Sequence, residues 1–475
     1  VGGDAHRPLD AGSGAMTMVL NEHSDETASL HPFQRGRIER FVERESSVFN
    51  AAEQLNSVGP VSGWYQNVPM HWMLDWPVRP IIQKAQGAIV TTVQGRSLND
   101  FCLGDSAALF GHSPALVVKA IEDQLHEGMS TMLVDQRAAQ VGALLVERFK
   151  LPHWQMALSA SDANRFAIRA ARAITGRDLV LVFDGCYHGA VEDVMVTLEN
   201  SRVKARPGLI GQVGDLRNRA RVVEFNNIRA VRQALRDRRV ACVLAEPVMT
   251  NCGMVEPEPG FWDQVRELTY DTVTPLILDE THTLSNGPGG YGARFDWQPD
   301  FKVFGKPIAG GLPAAVWGFT DAISQCLTEV LRDKPEGHSG IGTTLSANAL
   351  SLAAMEAVLQ HYLNPGVFEP MIQKAEYLSQ QLRAVFVRHQ LRWQVIQSGA
   401  RVEIVMSLKV PKTARDVMVA TDSLLEKAIH VGLLNRGSLL TPFHNMMLIS
   451  PATQIDQINQ LVNGLDEVLT QLSVS

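Results

Sequence analysis

Between Pro114 and Leu278 the chain alternates stretches whose apolar residues recur at helical spacing with short runs that are apolar almost throughout. Helices are predicted over Pro114–Glu127, Gln136–Phe149 and Asp162–Thr175. The last carries Ala163, Phe166, Ala167, Ala170, Ala173 and Ile174 near a 3.6-residue period, and Gly176 stops it. Strands are predicted at Leu179–Phe183, Arg221–Phe225, Val240–Ala245 and Leu276–Leu278, with helices at Ile228–Asp237 and Trp262–Asp271 separating several of them. Runs without polar alternation belong to strands buried on both faces, so the pattern implies an α/β fold with a mainly parallel sheet covered by helices. Upstream, His31–Asn50 reads as a charged helix, Val58–Pro80 as irregular and aromatic-rich, and Ala88–Phe101 as a hairpin turning near Gln94-Gly95. From about Asn364 the pattern becomes a helix (Phe368–His389), strands and a final helix (Ile455–Leu472). The expected division is a disordered leader (1–30), an N-terminal segment packing with the small domain (31–105), a large domain (106–363) and a smaller α+β domain (364–475).

A chain of 475 residues exceeds the usual reach of one core, which agrees with two packed domains. A formal charge of −7, with no basic block, argues against nucleic acid or anionic lipid as partner. No stretch approaches the roughly 18 uninterrupted apolar residues of a membrane span. The leader lacks the charged-then-apolar order of a signal peptide. Five cysteines, scattered and without CxxC spacing, suit buried thiols in a reducing, cytoplasmic compartment.

The candidate chemistry lies at the exits of apolar runs, where parallel sheets collect ligands. Lys306 ends one short strand before a tight Gly/Pro turn, and Asp279 ends another. An amine held with little slack and a buried carboxylate supply what pyridoxal phosphate needs: a Schiff-base partner for its aldehyde and an anion for its ring nitrogen. Any one of these features has an ordinary reading. A lone lysine is usually a solvated charge, and serines at a helix start, as in Ser159-Ala160-Ser161-Asp162, are ordinary caps or a phosphate site. Tyr187, after the strand Leu179–Phe183, either plugs the core or stacks on a flat heterocycle. Glu246 and Asn251 follow another strand and could reach a cofactor or substrate. Thr343-Thr344, before a long helix, offers a second hydroxyl-and-amide phosphate contact. No GxGxxG or GxxxxGK[ST] occurs, so a dinucleotide or nucleoside-triphosphate site has no support.

Ser-Ala-Ser-Asp-Ala, Tyr-His-Gly, Glu-Pro-Val, Asp-Glu-Thr-His-Thr, Gly-Lys-Pro-Ile-Ala-Gly-Gly and Thr-Leu-Ser-Ala-Asn follow one another between roughly Asn99 and Pro451. In order and spacing they resemble the class III aminotransferases, in particular the glutamate-1-semialdehyde aminomutase-like branch. The resemblance implies a fold-type-I, aspartate-aminotransferase-like enzyme that uses pyridoxal 5'-phosphate and works as a homodimer with shared active sites. It implies Lys306 as the Schiff-base lysine and Asp279 as partner of the pyridine nitrogen. Tyr187 resembles the residue stacked on the ring, and Thr281 stands where a Val usually lies beneath the other face. Ala160 and Ser161 stand where the family has Gly-Thr at the phosphate. Thr344 resembles the threonine that reaches the phosphate from the neighbouring subunit. Asn251 is similar to the amide near the phenolic oxygen, and Glu246 to the acidic residue close to the ring.

Two departures bear on function. Ala160 adds a methyl where the family has glycine. The loop Thr441-Pro-Phe443-His444-Asn445-Met446-Met447 lacks the Glu that the aminomutases carry in a loop of the type Ala-Pro-Ser-x-x-Glu-Ala. The expectation is therefore ping-pong transamination between a small-molecule amino donor, an amino acid, and a 2-oxo acid, with Lys306 as general base and acid. The alternatives are an aminomutase or epimerase of the same family, and a non-catalytic scaffold or regulator on the same fold. Arg401 is either a carboxylate clamp for substrate or an ion-paired residue. Trp64, Tyr65, His71, Trp72, Phe443 and His444 either line an aromatic pocket or serve packing. A pocket of that kind suits a bulky or D-configured amino acid, as in the D-phenylglycine aminotransferase relatives.

Overall fold

A computed structural model of the chain describes residues 31–53, 63–74, 76–212, 214–441 and 444–473. The leader, part of the aromatic stretch (58–62), Phe443 and the Trp72 side chain lie outside the described residues. The charged helix runs over Arg35–Ala52 and buries Ile38, Phe41 and Phe49, the apolar stripe that the sequence pattern implies. The hairpin forms as expected: β1 (Ile82–Gln86), β2 (Ile89–Thr92) and β3 (Ser97–Asp100) are antiparallel. Gly95, at φ 82°, supplies the left-handed residue of the β2–β3 turn.

The central sheet has seven strands. They are β4 (His153–Ala157), β5 (Leu179–Phe183), β8 (Ala220–Val223), β9 (Val240–Ala245), β10 (Leu276–Asp279), β11 (Phe301–Phe304) and β12 (Ala315–Phe319), with a separate hairpin of β6 (Val196–Glu199) and β7 (Arg202–Ala205) inserted after β5. Their order in space is β4-β12-β11-β10-β9-β5-β8. Only β12 runs against its neighbours, because it pairs antiparallel with both β11 and β4. The strands β5, β9, β10, β11 and β12 are buried along their whole length, which explains why they are apolar apart from Asp279 and Lys302. Helices Ala160–Thr175, Ile228–Leu235 and Phe261–Asp271 begin at the predicted first residue or one or two residues before it.

Beyond the long helix Pro365–Arg388, β13 (Gln394–Ser398) and β14 (Arg401–Val405) form a hairpin. The short β15 (Ser438–Leu439) joins β3 in parallel, so the C-terminal part of the chain completes the N-terminal sheet. β16 (Met446–Leu448) closes the small sheet on β14, and the helix Ile455–Ser473 ends the described chain. Among the described residues no helix is long and apolar enough to cross a membrane.

Candidate active site

Because β4, β5, β9, β10 and β11 run the same way, their carboxyl ends open on one edge of the sheet, as the doubly wound topology requires. A cavity of about 370 Å³ lies there. Its walls include Ala160 and Ser161 after β4, Tyr187 after β5, Glu246 after β9, Asp279 and Thr281 at β10, and Lys306 after β11. Seven sequence-predicted residues thus meet at one place.

The β4 exit becomes a helix start because Ser159 caps it, its hydroxyl accepting from the Asp162 N–H. The extra methyl of Ala160 is accommodated by Gly305: a Cβ on Gly305 would lie 2.8 Å from that of Ala160. Ser161 Oγ accepts from the Ala190 N–H at 3.1 Å, which ties the helix start to the Tyr187–Gly189 turn. Tyr187 is 41 % exposed on the cavity wall, with the Arg206 guanidinium 5.4 Å from its ring centroid.

Asp279 is buried beneath the cavity and well supplied with donors. Asn164 Nδ2 donates to Oδ2 at 2.7 Å, His188 Nδ1 to the same oxygen at 2.9 Å, and the Thr281 N–H to Oδ1 at 3.1 Å. Burial alone would raise this carboxyl, but the His188 and Asn164 contacts outweigh it and hold it below its ordinary value. Burial pulls His188 the other way, yet Cys186 and Asp279 beside it push it up to about 10. The pair is an ion pair at neutral pH. Glu246 shows the opposite balance: burial dominates and raises its carboxyl, which bonds Thr250 and Asn251.

Lys306 follows the last residue of β11 by two and opens a short 3-10 turn at φ 46°, in the left-handed region that non-glycine residues rarely occupy. Its Nζ lies 2.5 Å from Asp105 Oδ2 and 2.8 Å from His282 Nε2. Asp105 reaches it from a turn in which Leu103, Gly104, Asp105 and Ser106 all have positive φ. Burial works against ionisation of Asp105, but His282, Lys306 and Arg401 outweigh it and hold the carboxyl well below its usual range. His282 is buried and lines the cavity, and burial followed by the charge of Lys306 holds it well below an ordinary histidine.

Other sequence-predicted residues lie elsewhere. Arg401 is 1 % exposed and sits behind His282 rather than on the cavity wall: it bonds His282 Nδ1 and the Thr250 carbonyl, and lies 3.7 Å from Glu403. His444 pairs with Glu403 at 3.0 Å. Asn251 bonds Glu246. Trp64 and Tyr65 are exposed, and Tyr65 stacks on His71 with centroids 6.0 Å apart. Thr344 lines a separate cavity with the exposed Met132, Leu133 and Val134. Four residues of the site, Asp105, Asn164, His188 and His282, escaped the sequence reading. The quoted motifs contain His188 and His282, but motif order alone does not say that one meets Asp279 and the other Lys306.

A buried carboxylate with three donors, an amine at a fixed point, a capped helix start and an aromatic wall fit pyridoxal phosphate. The buried Thr281 hydroxyl, on a residue of the cavity wall, has no hydrogen-bond partner among the described residues. Comparison with known proteins agrees. Residues 75–469 match the family model of class-III aminotransferases. A glutamate-1-semialdehyde 2,1-aminomutase of Desulfosudis oleivorans is 30% identical over 401 residues, covering 82% of this chain and 91% of that protein. A solved glutamate-1-semialdehyde-aminomutase from Pseudomonas aeruginosa PAO1 is 39% identical over 93% of this chain and 100% of its own, with a TM-score of 0.90. A lysine-to-alanine variant of that protein was solved in complex with PMP. A β-phenylalanine aminotransferase from Variovorax paradoxus shares the fold, with a TM-score of 0.80 at 21% identity, 90% of this chain and 97% of that one being covered. The expected fold-type-I architecture and pyridoxal 5'-phosphate as cofactor therefore stand, and this chain belongs to the class-III aminotransferase family of pyridoxal-phosphate enzymes.

Proposed function

We propose that the protein is an aminomutase, shifting an amino group between neighbouring carbons of one small amino-carbonyl substrate. The observation that carries this reading is the 39% identity to the P. aeruginosa aminomutase across 93% of the chain. It reverses the preference drawn from the sequence, which favoured transfer to a separate 2-oxo acid. That preference rested on the missing Glu in the 441–447 loop and now supports only the second reading, transamination.

Bound pyridoxal phosphate supplies an electron sink for charge that develops beside the substrate nitrogen. Each side chain then has a defined task. Lys306 would hold the group through its amine and, when that amine is free, would move a proton at the substrate carbon next to nitrogen. Asp279 keeps a proton on the pyridine nitrogen, and His188 with Asn164 keep Asp279 ionised and fixed. Tyr187 and Thr281, both on the cavity wall, would hold the ring. The free N–H groups at the start of the Ala160–Thr175 helix, with Ser161, receive the phosphate. Glu246, held by Thr250 and Asn251, closes the far wall. Thr344 serves a second copy of the chain in a homodimer, and the apolar Met132–Val134 surface beside it supports that pairing.

The test supplies glutamate 1-semialdehyde as sole substrate, with no oxo acid, and follows the position of nitrogen by NMR. An isomer with nitrogen moved from carbon 2 to carbon 1 is expected. If nitrogen moves only when an amino donor and 2-oxoglutarate are both present, with glutamate as product, transamination replaces this reading.

A further inference from the structure

His282 Nδ1 faces two groups, Ser106 Oγ at 3.1 Å and Arg401 Nη1 at 3.2 Å. A guanidinium has donors only, so Nδ1 must be the acceptor. Arg401 cannot turn away freely: it is buried, its other terminal nitrogen donates to the Thr250 carbonyl at 2.8 Å, and Glu403 lies beside it. Burial and the adjacent positive charge keep the imidazole neutral, so its single proton sits on Nε2. Nε2 is the nitrogen that lies 2.8 Å from Lys306 Nζ. A donor aimed at an amine nitrogen is satisfied only by a lone pair. The amine form of Lys306, the form that reacts, meets this arrangement in full by donating one N–H to Asp105 Oδ2 while accepting from His282.

We propose that His282 is the positioning residue for Lys306, locked by the donor-only Arg401, with Ser106 as a second contact to Nδ1, in the tautomer that presents an Nε2–H to the reactive nitrogen. Arg401 then acts through His282 and not as a substrate clamp. The hydrogen bond keeps the nitrogen's lone pair available and in one place between bond-making events. This rests on the reading of Lys306 as the amine that condenses with the cofactor aldehyde. In that step Nζ attacks the carbonyl carbon, a C=N bond forms and the carbonyl oxygen leaves as water.

The test uses full-length protein freed of cofactor. The rate of condensation with pyridoxal 5'-phosphate is followed by absorbance across pH, and the bonded position is mapped after borohydride reduction. The groups facing the reacting nitrogen and its imidazole partner are Asp105, Ser106, Arg401 and, at longer range, Asp279. His282→Leu should slow capture at neutral pH by about three- to tenfold, the scale of one lost hydrogen bond, and shift its pH profile. His282→Gln, which restores an N–H donor, should recover most of the rate. Arg401→Met should slow capture in the wild-type background but not further in His282→Leu, because both act through one contact. Should Arg401→Met fail to fold, Ser106→Ala takes its place, with the same non-additivity expected. Unchanged capture in His282→Leu, or slowing by Arg401→Met that adds fully to it, overturns the proposal. Mapping of the label to a residue other than Lys306 in the wild-type protein would instead overturn the assignment of the amine.

Discussion

Gly189 offers a sharp test of how the cofactor cradle is built. It sits at φ +82°, and a Cβ there would lie 2.7 Å from Ser161 Cβ and 2.8 Å from Ser161 Cα. The side-chain oxygen of Ser161 could rotate away; its Cα cannot, because it is fixed in the capped first turn of the Ala160–Thr175 helix. Gly189→Ala therefore carries two costs: about 1–2 kcal/mol for a left-handed alanine and about 1–3 kcal/mol for forcing backbone apart at a packed contact. Gly176→Ala is the control. It also has a left-handed φ, +65°, but nothing lies within 4 Å of its added methyl. It should lose only the first contribution, about 1 kcal/mol. Urea unfolding of cofactor-free protein measures the difference, and titration with pyridoxal 5'-phosphate measures how much of it falls on the binding site. If about 2 kcal/mol of strain acts where the helix start receives phosphate, Kd rises about 30-fold in Gly189→Ala and not in Gly176→Ala. Equal destabilisation of both variants, or unchanged cofactor affinity in Gly189→Ala, would refute the argument that this contact is rigid.

Further outcomes follow from the same structure. Lys306→Ala should lack the imine absorbance that wild type gains on cofactor addition and retain no borohydride-fixed label, with turnover lower by about 10²–10⁴-fold. Asp279→Ala strands the buried His188 and should cost about 3–5 kcal/mol in denaturant unfolding at pH 7. The raised His188 pKa stabilises the fold fully below the ordinary histidine value and less as pH rises through about 10, so wild-type stability should decline over that window and the Asp279→Ala curve should be flatter. Glu426, pushed up to about 7 mainly by burial, stabilises the fold only while protonated. Glu426→Gln should match wild type in urea midpoint at pH 5 and exceed it at pH 8.

The large sheet was legible because β5 and β9 lack polar residues altogether and β10 has one only at its carboxyl end, and a strand covered on both faces needs none. β4, with His153 and Gln155, and β12, interrupted by Gly318, gave no such signal and were not predicted. Lys306 and Asp279 could be read because each ends an apolar run beside a turn. Their partners could not, since Asn164 reaches Asp279 only because a helix from β4 crosses to β10, a neighbour relation that periodicity does not encode. The Asp105 turn was hidden for another reason: three of its four left-handed residues are not glycine, so the usual sequence mark is absent. Arg401 illustrates the limit of position. Its place on β14 was compatible with a clamp, but the direction of its side chain depends on His282 and Thr250, which lie far away in sequence.

The run of left-handed residues at Leu103–Ser106 has a consequence for anyone seeking a sturdier enzyme. Glycine at Asp105 or Ser106 would relax a conformation that costs each residue about 1–2 kcal/mol, so screens for heat resistance should select those positions. The same exchanges delete the carboxylate beside the amine and the hydroxyl behind the imidazole. Durability and readiness to react are opposed here, within a stretch four residues long.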